Sequence, residues 1–175
     1  MIRRHFLGIS LGGAALALGA MEARADDCSG TSIESLTDPR ALHKVTVSFV
    51  ANEKKWRAIW TDGKSRQETL LTGPGDHAHL VLAVPYDTPR FALVDTGAGH
   101  HLDGRVRIYE PNGKLVRSLG LKDLMTKKEL DQVVQSKSHV QWLSGKPTLG
   151  RGGRTLELPL VGGRNITVSV ADSTL

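Results

Sequence analysis

The chain has 175 residues, a formal net charge of +5 and a single cysteine. Its hydrophobic content of 39% and charged content of 23% exclude a disordered chain, a collagen, a polytopic membrane protein and a disulfide scaffold. Composition therefore indicates a globular protein stabilised by an apolar core, and it indicates no activity.

The first 25 residues have the pattern of an export signal. Arg3 and Arg4 supply a positive start, an apolar stretch follows, and Ala23 and Ala25 supply the small residues that a signal peptidase requires. The apolar stretch is short and rich in glycine, which does not suit a membrane span. We therefore expect cleavage after residue 25, no span in the mature chain, and a periplasmic or secreted location.

The same region carries a more specific signal. Arg3, Arg4, Phe6 and Leu7 resemble the twin-arginine export motif, in which two arginines are followed by any residue, Phe and Leu. The resemblance implies export of the folded protein, with the general secretory route as the alternative. The expected partners are the export machinery and a periplasmic protein, and an exported location argues against nucleic acid.

Residues 26–40 are polar, and we interpret them as a lead-in to a single β-rich domain over residues 41–175. The lead-in contains Cys28, which has no partner for an intrachain disulfide. Two interpretations of Cys28 stay open: a free thiol on a loose N-terminus, or a thiol that pairs with another chain.

Alternating apolar residues predict two strands at the start of the domain. Asp62-Gly63 then signals a turn, and residues 67–72 are the expected hairpin partner. The inward-facing residues of the two strands are Val45, Val47 and Phe49 in the first and Trp56, Ala58 and Trp60 in the second.

Two continuous apolar runs follow, at 79–84 and 91–94, and they are typical of central strands buried on both faces. Alternation predicts a hairpin over 105–119, with its turn at 111–114. Further strands are expected at 140–143, 156–160 and 166–170.

One α-helix is predicted near 126–136. Thr126 and Glu129 have the spacing of a capping box, in which each side chain bonds a backbone donor at the helix start. Leu130, Val133 and Val134 would line its buried face. Residues 121–125 would form a short preceding turn of helix, and residues 144–154, rich in glycine and basic residues, would form a mobile loop.

About nine or ten short strands and one helix define a mostly β protein. The frequent Gly and Pro turns favour an antiparallel sandwich or an open barrel, with two or three propeller blades as a less favoured alternative.

Residues 88–124 resemble a pattern of exported bacterial β-rich proteins of unknown function. In that pattern a strand that ends in Asp is followed by a glycine-containing loop and by a second strand, which ends in an aromatic residue and an acid. A turn with Gly-Lys, a third strand and the sequence Leu-x-Asp-Leu then follow. The matching residues are 91–95, Gly104, 106–110, 112–117 and 121–124. The resemblance implies a fold and carries no known activity.

The first candidate site is the sequence Leu-Val-Asp-Thr-Gly-Ala at 93–98. It resembles the active-site motif of retroviral-type aspartic proteases, which implies that Asp95 would activate water while sharing a proton with a second Asp. A strand that ends in an Asx turn accounts for the same residues. We favour the Asx turn and keep catalysis by Asp95 as an alternative.

The second candidate site consists of histidines. His77 and His79 are spaced to share one face of a strand, and His100, His101 and Asp103 lie in a glycine-rich loop. Imidazoles beside a carboxylate suit zinc or copper(II). Solvated loop histidines are the favoured interpretation, so no cofactor is predicted and a bound metal is the alternative.

Basic residues form the third candidate. An anionic polymer would suit a basic surface with two tryptophans, formed by Lys54, Lys55, Trp56, Trp60, Lys146, Arg151 and Arg154. The favoured interpretation is that the charges are solvated and that both tryptophans belong to the core. The sequence thus predicts an exported, non-catalytic binding or accessory protein. The alternatives are a periplasmic metal-binding protein and a retropepsin-like protease.

Overall fold

The computed structural model describes residues 33–76, 78–97, 102–136 and 138–172. The predicted signal peptide, Cys28 and three of the four candidate metal-ligand histidines, His77, His100 and His101, lie outside these residues. The hypotheses that depend on them stay predictions. In the described part of the chain, no helix is long and apolar enough to cross a membrane.

The described residues form thirteen strands and two short helices, which confirms the prediction of a mostly β protein. The helices are α1 (Leu121–Leu124) and α2 (Lys127–Leu130), and a 3₁₀ turn covers Arg151–Gly153. The strands are β1 (Ile33–Thr37), β2 (Lys44–Val50), β3 (Lys55–Thr61), β4 (Arg66–Leu71), β5 (Leu80–Val84), β6 (Phe91–Asp95), β7 (Val106–Tyr109), β8 (Leu115–Leu119), β9 (Val134–Gln135), β10 (Val140–Gln141), β11 (Thr148–Leu149), β12 (Thr155–Pro159) and β13 (Asn165–Ser169).

A five-stranded sheet in the order β1-β5-β6-β7-β8 lies at the centre of the fold. Its strands pair antiparallel, except that β1 pairs parallel with β5. Every residue of β5 is buried, and so are the first four of β6, as their continuous apolar runs predicted.

The central sheet is covered on both faces, which gives the fold three layers. Sheets β2-β3-β4 and β11-β12-β13 belong to the two outer layers, and in the described residues the sheets do not close into a barrel. The face toward β2-β3-β4 packs through a cluster that includes Trp56, Trp60, Leu82 and Phe91. The opposite face packs against α1, β10 and β12 through a cluster that includes Val81, Val94, Leu121, Trp142 and Leu156.

The helix predicted near 126–136 is much shorter than expected. Its capping box is present, since the Thr126 N–H donates to Glu129 Oε2 at 2.7 Å and the Glu129 N–H donates to Thr126 Oγ1 at 3.4 Å. However, α2 ends at Leu130, and Val134 lies in β9, where its side chain is 62% exposed. A β-branched residue favours an extended backbone, and pairing with β10 outweighs a second helical turn.

Two segments predicted to be irregular contain regular structure. The polar lead-in includes β1, which pairs with β5 along its whole length. The loop predicted over 144–154 includes β11 and the 3₁₀ turn. β1 is mostly polar and β11 has only two residues, so neither shows the alternation by which a strand is recognised in a sequence.

Candidate functional site

Asp95 lies at the end of β6 and forms an Asx turn, as the favoured interpretation predicted. The Gly97 N–H donates to Asp95 Oδ1 at 3.2 Å. The other carboxylate oxygen, Oδ2, lies 3.2 Å from Nη1 of Arg105. Burial lowers the pKa of the Arg105 guanidinium, and the charge of Asp95 opposes that shift. The carboxylate is therefore held by a buried cation and a backbone donor.

The backbone around Asp95 is fixed from three sides. The indole N–H of Trp142 donates to the Asp95 carbonyl at 3.0 Å. The N–H and the hydroxyl of Thr96 both donate to the His79 carbonyl, at 2.9 and 3.1 Å. The N–H of Val140 donates to the Gly97 carbonyl at 2.7 Å. These bonds join β5, β6 and β10 around one turn.

The structure describes two of the predicted metal ligands, His79 and Asp103. His79 is half-buried, and its carbonyl anchors Thr96, whereas Asp103 is exposed. Among the described residues, no group of three or more His, Cys, Asp or Glu side chains could hold a metal ion. The other three candidate ligands lie outside those residues, so metal binding stays a prediction.

A groove of about 420 Å³ lies beside the Asp95 turn, between β1 and the segment 139–147. We call it the Glu34–Lys146 groove. Its apolar lining is formed by Val81, Leu143 and Pro147. Its polar lining is formed by Glu34, Thr96, His139, Gln141, Ser144 and Lys146.

Strand register places a carboxylate next to an apolar surface in this groove. Glu34 of β1 pairs with Val81 of β5, which pairs with Val94 of β6, which pairs with Val106 of β7. Paired residues of neighbouring strands project from the same face of a sheet. A row of three buried valines therefore ends at the exposed Glu34 on the sheet edge.

The opposite wall of the groove is anchored to the β11-β12-β13 layer. The Ser144 N–H donates to the Pro159 carbonyl at 2.9 Å, and Leu143 forms a β-bridge with Leu160. From this anchored wall, the Lys146 ammonium lies 3.3 Å from each carboxylate oxygen of Glu34. One positive and one negative side chain thus meet at the rim.

His139 completes the groove next to the Asp95 turn. Its ring packs so closely against Gly97 that an added Cβ there would collide with it. The glycine is therefore required for the close approach of the imidazole, and its φ is not in the left-handed region.

The sequence did not predict this groove. Lys146 was assigned to a basic surface, but it faces Glu34 across the groove. Glu34 and His139 were not singled out, because the parallel pairing that positions Glu34 joins residues far apart in the chain. Trp56 and Trp60 are 0% and 3% exposed, so they belong to the core and not to a binding surface.

No protein-family model matches the chain, and neither the curated proteins nor the solved structures yield a significant match. The groove and the Asp95 turn are the features from which a function can be inferred.

Proposed function

We propose that the chain is an exported, non-catalytic binding or accessory protein that holds its ligand in the Glu34–Lys146 groove. The groove itself is the observation that carries this proposal. It combines a buried apolar floor with a few polar and charged side chains, as small-molecule sites do. Its volume of about 420 Å³ falls in the range of about 300–1,000 Å³ that is common for such sites.

The surroundings of Asp95 support a non-catalytic role. A retropepsin-like mechanism uses a carboxylate that shares a proton with a second carboxylate. In this chain the Asp95 carboxylate faces the Arg105 guanidinium and accepts the Gly97 N–H. Both partners favour the negative charge of the carboxylate, which suits a structural tie between β6 and β7.

The metal-binding alternative has a direct test. Protein purified without a histidine tag from its native compartment is analysed for zinc and copper. A stoichiometric metal that disappears in His100→Ala and His101→Ala would replace the proposed function with metal binding.

The export part of the proposal is tested at the paired arginines. A variant carrying Arg3→Lys and Arg4→Lys is compared with Arg24→Lys, which leaves the motif intact. We expect the double variant to accumulate as precursor and the control to reach the periplasm in mature form. Equal export of both would assign the general secretory route, and wild-type protein confined to the cytoplasm would overturn the proposal.

A further inference from the structure

The charges at the groove point to a ligand class, on the basis of the proposed function above. We propose that the Glu34–Lys146 groove binds a free α-amino acid with an apolar side chain. The ligand's ammonium would lie against the Glu34 carboxylate and its carboxylate against the Lys146 ammonium. Its side chain would lie on the apolar floor formed by Val81, Leu143 and Pro147.

Two opposite charges side by side select a ligand with both charges. A ligand that carried only an anionic group would be attracted by Lys146 and repelled by Glu34. A purely cationic ligand would be attracted by Glu34 and repelled by Lys146. The two protein charges lie 3.3 Å apart. An α-amino acid carries its own two charges on a single carbon, so both can be matched at once.

The existing ion pair presents little obstacle to such a ligand. The Glu34 and Lys146 side chains are 48% and 80% exposed. Exposed ion pairs stabilise a protein only slightly, because water screens them and two long side chains must be ordered. Exchanging this contact for contacts with a ligand therefore costs little.

The floor of the groove favours an apolar ligand side chain. Val81 and Leu143 are only 5% and 8% exposed, and both belong to the buried core cluster behind the groove. Thr96 and His139 add polar groups at the end nearest the Asp95 turn. A few polar groups around an apolar floor are what orient a small ligand in its site.

Isothermal titration of the mature protein with three compounds tests the proposal. The compounds are L-leucine, N-acetyl-L-leucine, which lacks the ammonium, and L-leucinamide, which lacks the carboxylate. We expect leucine to bind about ten-fold or more tightly than either derivative, because each derivative loses one charge-assisted contact. Equal affinity for all three compounds, or no binding of leucine, would overturn the proposal.

Charge-neutralising variants assign each contact. Glu34→Gln should weaken leucine binding about ten-fold and abolish its advantage over N-acetyl-leucine, whereas Lys146→Gln should abolish its advantage over leucinamide. Lys114→Gln is the matched control, since Lys114 forms an exposed ion pair with Glu110 in the β7–β8 hairpin. Leucine binding that all three variants retain would place the ligand elsewhere and overturn the assignment.

A negative result for the ligand class can be distinguished from a negative result for the proposed function. Absence of leucine binding rejects the ligand class while the export result stands, whereas absence of export rejects the proposed function whatever the titrations show.

Discussion

The Arg105 guanidinium lies 3.2 Å from the Asp95 carboxylate, and the two side chains are 1% and 13% exposed. Arg105 immediately precedes β7 and Asp95 ends β6, so the pair links the end of β6 to the start of β7 beside the groove. A backbone hydrogen bond joins the same two residues, since the Asp95 N–H donates to the Arg105 carbonyl at 2.8 Å.

Neutralising one partner of this pair should destabilise the fold. Asp95→Asn keeps the size of the side chain but removes the negative charge that faces the buried Arg105 guanidinium. We expect a loss of about 3–5 kcal/mol in the free energy of unfolding, measured by urea denaturation. Asp103→Asn, at a nearby exposed carboxylate, is the control and should change stability by less than about 0.5 kcal/mol. A similarly small effect of Asp95→Asn would contradict a structural role for the pair.

The contact between His139 and Gly97 predicts a coupled pair of substitutions. Gly97→Ala should destabilise the protein by about 1 kcal/mol, because the new methyl group collides with the imidazole. His139→Ala removes the collision, so the double variant should recover most of the loss. Urea denaturation of both single variants and the double variant gives the coupling energy. Strictly additive effects would show that the ring does not cause the loss.

Glu129 should make stability depend on acidic pH. The Arg164 guanidinium, together with the Thr126 N–H, lowers the pKa of Glu129 to about 2 from its ordinary value of 4.5. The unfolded chain therefore takes up this proton before the folded protein does. The stabilisation is complete above about pH 4.5 and is lost as the pH falls toward about 2.

Glu129→Gln measures this contribution. Arg164 donates to both oxygens of Glu129 at 2.7 Å, and glutamine keeps only one accepting oxygen and lacks the charge that strengthens these bonds. We expect the variant to be less stable than the wild type at neutral pH, with the difference shrinking as the pH approaches 2 in denaturation series. A difference that stays constant across this range would refute the assignment.

His43 should also make the fold less stable as the pH falls, but at milder acidity than Glu129 and because its ring is buried. Its ring stacks on Trp60 with centroids 4.0 Å apart, and its Nε2 has no hydrogen-bond partner among the described residues. Burial lowers the pKa of His43, against the pull of Asp62 and Asp87. The unfolded chain is therefore protonated first as the pH falls through about 6.5, which favours unfolding.

His43→Phe removes the titratable group and keeps an aromatic ring on Trp60. At slightly alkaline pH we expect the variant to be as stable as the wild type or up to about 1 kcal/mol more stable. The difference in the free energy of unfolding between the variant and the wild type should grow as the pH is lowered from about 7.5 to 5.5, measured by urea denaturation at each pH. An advantage that shrinks over that interval would mean that folded His43 gains its proton readily.

The local parts of the fold could be predicted from the sequence. Alternation identified the buried faces of β2 and β3, because their inward residues face a single apolar layer. Continuous apolar runs identified β5 and β6, which are covered on both faces. The spacing of Thr126 and Glu129 gave the start of α2, since a capping box depends on neighbours in the chain.

The non-local parts could not be predicted. β1 is short and largely exposed, and only its pairing with β5 defines it as a strand. α2 ends early because Val134 pairs with Gln141, a contact that helical periodicity does not reveal. The groove shares this difficulty, since Glu34 and Lys146 meet only after the sheet edge has formed.

The parallel pairing of β1 with β5 has a consequence for the order of folding. The whole of the β2-β3-β4 sheet lies between these strands in the chain, so that sheet serves as their crossover connection. A hairpin closes a short loop, whereas pairing of β1 with β5 closes a long loop, which costs more conformational entropy. We therefore expect β1 to pair after the neighbouring hairpins have formed. Glu34 would then be among the last residues to reach its place, so the groove would be complete only in a fully folded molecule. A fully folded molecule is also what the proposed twin-arginine route would export.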